Sequence, residues 1–177
     1  MKILFFSDIH GIKTNLSKIE EVINNINPDK IVVLGDLYYN GFDKNDVFDN
    51  KYVFDFLNKY QDKLIVTKGN CDSDVNIKAS DFPMCNLGLI NTDNIDIYIT
   101  HGNEFNYNKD RKFKRNGVLI YGHEHIPYIR KKDDMVYMCV GSISLPRNEY
   151  GATYMIYADK KFIIYGIDGS IIDEFGV

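Results

Sequence analysis

Lys2-Ile3-Leu4-Phe5-Phe6-Ser7-Asp8-Ile9-His10-Gly11 opens on an apolar run over residues 2–6 that stops at a polar cluster. The same unit returns as Ile31-Val32-Val33-Leu34-Gly35-Asp36, and again as Leu64-Ile65-Val66 running into Lys68-Gly69-Asn70-Cys71-Asp72. Short apolar runs rich in β-branched residues and bounded by turn residues read as buried strands. Between the first two, Leu16, Ile19, Ile23 and Ile26 recur at helical spacing, with Thr14 or Asn15 as N-cap and Pro28 just past the end. Residues 37–50 read as a loop, and Val53, Phe56, Leu57 and Tyr60 fit a second helix. The first 72 residues therefore read β-α-β-α-β, which predicts a parallel sheet with right-handed crossovers.

The rest of the chain is strand-rich. Residues 95–100 lead to His101, 118–121 to Gly122, and Met135–Val140 to Gly141. Runs at 153–157 and 162–165 lie at hairpin spacing. The pattern predicts a mixed α/β fold with two sheets packed face to face. A length of 177 residues predicts one domain, 1–177, and 45% hydrophobic residues supply its core.

Cys71, Cys85 and Cys139 are odd in number, far apart and form no C-x-x-C pair, so they read as reduced thiols. The net charge of −4 argues against a module that binds polyanions by bulk electrostatics. Small phosphorylated substrates stay compatible, because bound cations reverse the local potential. The opening apolar run is too short for a signal segment or a membrane span, which predicts a cytoplasmic address and no membrane partner.

The chemistry lies at the strand ends. Asp8 and His10 follow the first strand, Asp36 the second and Asn70 the third, while His101, His123 and His125 follow strands in the second half. Those are all four histidines of the chain. In open α/β sheets the carboxyl ends of strands lie along one edge, where ligands bind. Carboxylate, imidazole and amide oxygen without thiolate suit Mn, Fe, Co, Ni or Zn. A carboxylate shared by two such cations would hold them about 3.5–4 Å apart and clamp an in-line displacement at phosphorus, with a bridging hydroxide as nucleophile. Singly, Asp-x-His, Gly-Asp and Gly-Asn are also ordinary turn chemistry. Their conjunction favours a metal site over structural roles.

In order and spacing, Ser7-Asp8-Ile9-His10-Gly11, Gly35-Asp36, Gly69-Asn70-Cys71-Asp72-Ser73, Thr100-His101-Gly102, Tyr121-Gly122-His123-Glu124-His125-Ile126-Pro127 and Gly141-Ser142-Ile143-Ser144-Leu145-Pro146-Arg147 resemble the calcineurin-like metallophosphoesterase superfamily. Within it they are similar to the small phosphodiesterases of the YfcE group. The resemblance covers essentially the whole chain. It implies a four-layer αββα sandwich of two mixed sheets flanked by helices. It also implies two divalent metals, manganese first, with Asp8, His10 and His125 on one, Asn70, His101 and His123 on the other, and Asp36 bridging.

Much of the superfamily carries a leaving-group histidine where this chain has Cys71, so the resemblance makes Asp36, Asn70 and Cys71 candidate catalytic residues, with Asp72 an alternative proton carrier. Asn103 stands where relatives commonly have a second histidine. Glu124 replaces a threonine and is expected to point away from the metals. Arg147 suits a phosphate contact, but the reading leans to a loop-anchoring salt bridge.

The expected activity is a binuclear, metal-dependent hydrolysis of a small phosphodiester or phosphomonoester. The rival is a binding scaffold on the same fold, as in the retromer subunit Vps29; retention of all four histidines favours the enzyme. A nuclease reads less well, since the basic stretch at 109–115 is more simply a solvated loop face. Loops 37–50 and 102–115 would flank the cleft, and Tyr38, Tyr39, Phe42, Phe105 and Tyr107 offer rings for a base or simply cover the core. A symmetric homodimer is the default assembly.

Overall fold

The computed structural model describes residues 1–41, 47–92, 94–109 and 117–177. The three predicted opening strands form as β1 (Ile3–Phe6), β2 (Lys30–Val33) and β3 (Leu64–Thr67), paired in parallel. They are joined by α1 (Leu16–Ile26) and α2 (Asn50–Asn58). Tyr60, expected on the second helix, falls in the turn beyond it. Two elements follow that the apolar pattern does not signal, α3 (Asp74–Ala79) and β4 (Met84–Cys85), the latter parallel to β3.

The chain then leaves this sheet for β5 (Leu87–Asn91), β6 (Asp96–Thr100), β7 (Gly117–Tyr121), β8 (Pro127–Lys132) and β9 (Met135–Val140). It returns with β10 (Thr153–Ala158), β11 (Lys161–Gly166) and β12 (Ile171–Gly176). The described residues form one seven-stranded sheet, β12-β11-β10-β1-β2-β3-β4, and one five-stranded sheet, β5-β6-β7-β9-β8. Both are mixed: β1 is antiparallel to β10, while β6 and β9 flank β7 in parallel.

Side-chain alternation along β1 shows how the layers are held. Ile3 and Phe5 join Val32, Leu34, Ile97, Val118 and Met138 in an inter-sheet core. Leu4 and Phe6 turn the other way, onto Leu16, Ile19 and Ile23 of α1 and Val53, Phe56 and Leu57 of α2. A strand buried on both faces must be apolar throughout, and all four β1 residues are fully buried. On the outer face of the five-stranded sheet, Phe105 and Tyr107 pack on Leu119, Tyr121 and Tyr137.

This architecture sets the rim. The parallel strands β1, β2 and β3 end on one side, as do the parallel β6 and β7 of the facing sheet. Among the described residues no helix is long and apolar enough to cross a membrane. The predicted basic stretch lies, apart from Lys109, outside the described residues, as does Phe42.

Candidate metal centre

The loops beyond the strand ends are laced together before any side chain meets another. Asp8 N donates to the Gly35 carbonyl at 3.1 Å, His10 N to Asp36 O at 2.8 Å and Gly11 N to Leu37 O at 2.8 Å. Asp72 fastens the third loop: its carboxylate accepts from the backbone N–H groups of Asp36, Leu37, Tyr38 and Gly69 at 2.8–3.3 Å. Both carboxylate oxygens are thereby committed to the backbone. Gly69 must be glycine there, because a Cβ would collide with the Asp36 amide and carboxylate. Ser142, which carries no role in the sequence motifs, donates to Asp8 O and accepts from Leu145 N, both at 2.9 Å. Its signal was only a Gly-Ser pair after a strand.

Convergence requires unusual backbone. Asp8 (φ 57°), His10 (50°), Asp36 (52°), His123 (63°) and His125 (61°) all occupy the left-handed region. Such residues outside glycine cost of order 1–3 kcal/mol each, and they cluster at functional sites. The left-handed backbone at His123 and His125 makes this segment a turn and not an extended strand. Glu124 accepts from the Tyr128 hydroxyl at 2.9 Å and belongs to neither ligand group, although it borders the cavity over them.

Two groups of side chains result. Asp8, His10 and His125 offer mutually close donor atoms, and so do Asp36, His101 and His123. Asp36 Oδ2 lies 3.7 Å from His10 Nε2 and 3.3 Å from His101 Nε2, so one oxygen faces both groups. Asn70 Oδ1 adds to the second, 3.1 Å from His101 Nε2. Cys71 sits beside Asp36 and His10, with its backbone N–H on Asp36 Oδ1 at 2.7 Å.

The tautomers explain what this electron-rich cluster is for. His101 Nδ1 lies 2.7 Å from Leu34 O, and His125 Nδ1 lies 2.5 Å from Leu145 O. A carbonyl only accepts, so both Nδ1 atoms are donors and the neutral rings turn bare Nε2 lone pairs inward. The lone pair of His125 Nε2 meets the acceptor Asp8 Oδ1 at 3.1 Å and that of His101 Nε2 meets Asp36 Oδ2 at 3.3 Å, with the ring nitrogens His10 Nε2 and His123 Nδ1 beside them at 3.3 and 3.2 Å. With His125 neutral, Asp8 Oδ1 is a buried oxygen with no donor. A proton or a cation makes these nitrogen–carboxylate contacts attractive, and this donor set fits divalent cations.

Protonation tells the same story. Burial works against the imidazolium of His101, but its hydrogen bond to Asp36 and the charges of Asp8 and Asp36 outweigh that and raise its pKa. His125 is raised likewise, burial being overcome by Asp8. Burial would lift Asp8 and Asp36, yet the histidines hold both carboxyls below their ordinary value. Burial, followed by the charge of Asp36, pushes the Cys71 thiol up to about 12.

Around the centre, one cavity is lined by His10, Asp36, Asn70, His123 and Arg147. Arg147 is exposed and its backbone N–H holds His125 O at 3.0 Å. Among the described residues its guanidinium makes no ion pair, so none of them supplies the expected loop-anchoring salt bridge. Asn103 lines a separate polar cavity beside Lys68, Asn86 and Glu104.

Two mixed sheets carrying this cluster at their facing rims define a metallophosphoesterase. Residues 1–161 match the calcineurin-like phosphoesterase superfamily domain, and the chain belongs to that superfamily. It is a phosphoester hydrolase whose family chemistry uses divalent metal ions.

Among individual relatives, it is similar to the phosphodiesterase YfcE of Escherichia coli K12. The two are 29% identical over 183 residues, covering 100% of this chain and 98% of the relative. A solved structure of E. coli YfcE, described as a phosphoesterase, matches with a TM-score of 0.91 at 28% identity over 99% of both chains. Zinc-complexed Vps29 of Entamoeba histolytica matches at TM-score 0.66 and 16% identity over 99% of both chains, a likeness of fold alone.

Proposed function

We propose that residues 1–177 form a single domain that hydrolyses small phosphodiesters on two divalent cations. The observation that carries this reading is Asp36 Oδ2, one buried carboxylate oxygen facing His10 of one group and His101 of the other. Asp8, His10 and His125 would hold one cation, Asn70, His101 and His123 the second, and Asp36 would be shared. Bound there, the cations supply Lewis acidity toward the phosphoryl oxygens and activate water for attack.

The protein's own groups do the rest. Leu34 O and Leu145 O fix the His101 and His125 tautomers, so each ring reaches the centre through Nε2. The Asn70 amide turns its oxygen to the cluster and its Nδ2 toward Cys71 Sγ at 3.4 Å. Cys71, beside Asp36 and His10, is the donor we assign to the leaving oxygen. Asp72, its oxygens taken by backbone amides, is a positioning residue rather than a proton carrier. Arg147 offers a charge to a phosphoryl oxygen.

Manganese is the first choice of metal over Fe, Ni, Co and Zn. A cytoplasmic address, a symmetric homodimer and small esters in preference to nucleic acid complete the reading. Lys109, the described member of the basic stretch, is engaged locally, donating to Asn103 O at 2.9 Å.

The test is hydrolysis of bis-p-nitrophenyl phosphate with added Mn²⁺. Turnover is expected to depend on metal and to fall at least about 100-fold in Asp36→Asn, the scale of losing one main electrostatic contributor. Absence of metal-dependent turnover would sink the enzyme reading in favour of a scaffold.

A further inference from the structure

Of the aromatic residues flanking the cleft, the structure commits most to packing. Phe105 and Tyr107 cover the outer face of the five-stranded sheet. Tyr38 is buried in the helix-side core with its hydroxyl 2.8 Å from Ser80 Oγ. Tyr39 and Phe48 are different. They are half-buried and stacked on one another, ring centroids 3.8 Å apart and planes 9° apart.

That stack is anchored to the backbone that carries the metal centre. Asn50 holds both sides of Tyr39, accepting from its N–H at 2.9 Å and donating to its carbonyl at 2.8 Å. Phe48 pairs with Ile12 in a β-bridge, and the neighbouring Asp49 N–H donates to Gly11 O at 2.7 Å. Gly11 directly follows His10, so the rings sit at a set distance from that side chain.

Tyr39, Phe48 and Leu145 line a cavity of about 550 Å³ whose other walls include His10, Asn70 and Cys71. The last three, with Leu145, also line the cavity over the cluster, so the two cavities adjoin and share a wall. Across Asn70 lies the contrasting cavity, lined by Lys68, Asn86, Thr100, Asn103 and Glu104. A phosphodiester seated at the cluster therefore meets an apolar aromatic space on one side and a polar one on the other. Half-exposed rings opening onto a charged cleft are a binding surface more than a core, and ring stacking is their strongest selective interaction.

We propose that the Tyr39–Phe48 cavity receives a planar aromatic group, a nucleobase or an aryl ring, on one ester arm of the substrate. This rests on the phosphodiesterase reading and narrows it to diesters with one aromatic arm and one polar or small arm.

The test uses the Mn²⁺-loaded full chain and three non-hydrolysed probes: methyl methylphosphonate, methyl phenylphosphonate and thymidine 5′-methylphosphonate. Their dissociation constants are read by calorimetry and, independently, as inhibition constants against bis-p-nitrophenyl phosphate. At least one aromatic probe is expected to bind about ten-fold or more tightly than the methyl probe, the scale of one base–aromatic stack. A thymidine preference assigns the space to a nucleobase and a phenyl preference to an aryl alcohol.

In Phe48→Leu and Tyr39→Leu the aromatic-to-methyl ratio should collapse to within about three-fold of unity, while Phe48→Tyr retains it. Equal affinity for all three probes in the unaltered chain, or a ratio untouched by both leucine variants, overturns the proposal. A chain that turns over bis-p-nitrophenyl phosphate yet binds the probes equally loses the subsite and keeps the hydrolase. If turnover itself fails, the calorimetric ratio still decides the subsite.

Discussion

Arg147 and the two inward-facing Nε2 atoms are where single residues decide behaviour. Arg147 lines the cleft and has no carboxylate partner among the described residues, so its charge can serve the substrate in ground and transition state alike. Arg147→Ala should raise KM for a diester by about three- to ten-fold with little change in kcat, the mark of lost uniform binding. An unchanged KM in steady-state kinetics would return Arg147 to a purely structural role. For His101 and His125 the folded pKa lies above the unfolded value of about 6.5. Protonated, they stabilise the metal-free chain fully below that value, and the contribution is lost as pH rises through the raised folded values. Cation binding needs the same nitrogens bare, so metal affinity should rise with pH across this window, and binding near pH 7 should release protons. Calorimetry of Mn²⁺ binding in buffers of different ionisation enthalpy counts those protons. A count of zero would contradict the ligand assignment.

At the level of elements, what could be read from the pattern depended on burial. β1, β2, β3, β7 and β9 lie inside their sheets and announce themselves as apolar runs. The strands that went unread are β4, β5, β8 and β12, which are the four edges. An edge strand leaves one row of backbone groups without a strand partner and carries charge, as in Arg130-Lys131-Lys132 of β8 and Asp173-Glu174 of β12, where the Asp173 carboxylate accepts from the Ile129 N–H of β8 at 3.2 Å. α3 buries no residue and so has no periodicity to show. The hairpin between β10 and β11 was legible, yet its turn is awkward: Asp159 and Lys160 both have left-handed backbone, at φ 50° and 65°. Two-residue turns of this kind prefer glycine at the second position. Lys160→Gly should therefore stabilise the chain by about 0.5–1 kcal/mol, the strain relieved exceeding glycine's entropic cost. Denaturant unfolding reads this directly, and a loss of stability would show that the Lys160 side chain contributes more than its backbone costs.

For the molecule as a whole, the two sheets gather side chains from residues 8 to 125 into a cluster of like-charged and lone-pair-bearing groups, which opposes folding until it is neutralised. Metal should act as a tether across the sheets. At a free concentration near 100 times its dissociation constant, Mn²⁺ should add about 2.7 kcal/mol. For a chain of this size that is about 5–10 °C in Tm. Scanning calorimetry should show the gain, and a chelator should abolish it; a Tm indifferent to both would mean that the cluster binds no cation of consequence.

The sequence by itself determined which residue types stand beyond each strand, because strand, turn and helix signals are local and survive in the order of residues. It likewise exposed all four histidines as strand-end residues and the carboxylates and amide between them. Only the tertiary structure decided that Asp36 turns one oxygen toward both groups, that Arg147 comes to line the cleft, and that Phe48 joins Tyr39 there while Phe105 and Tyr107 go to the outer face. Each of these depends on how two sheets pack against each other across long stretches of chain. Local propensity carries no information about that distance; the inter-sheet core sets it.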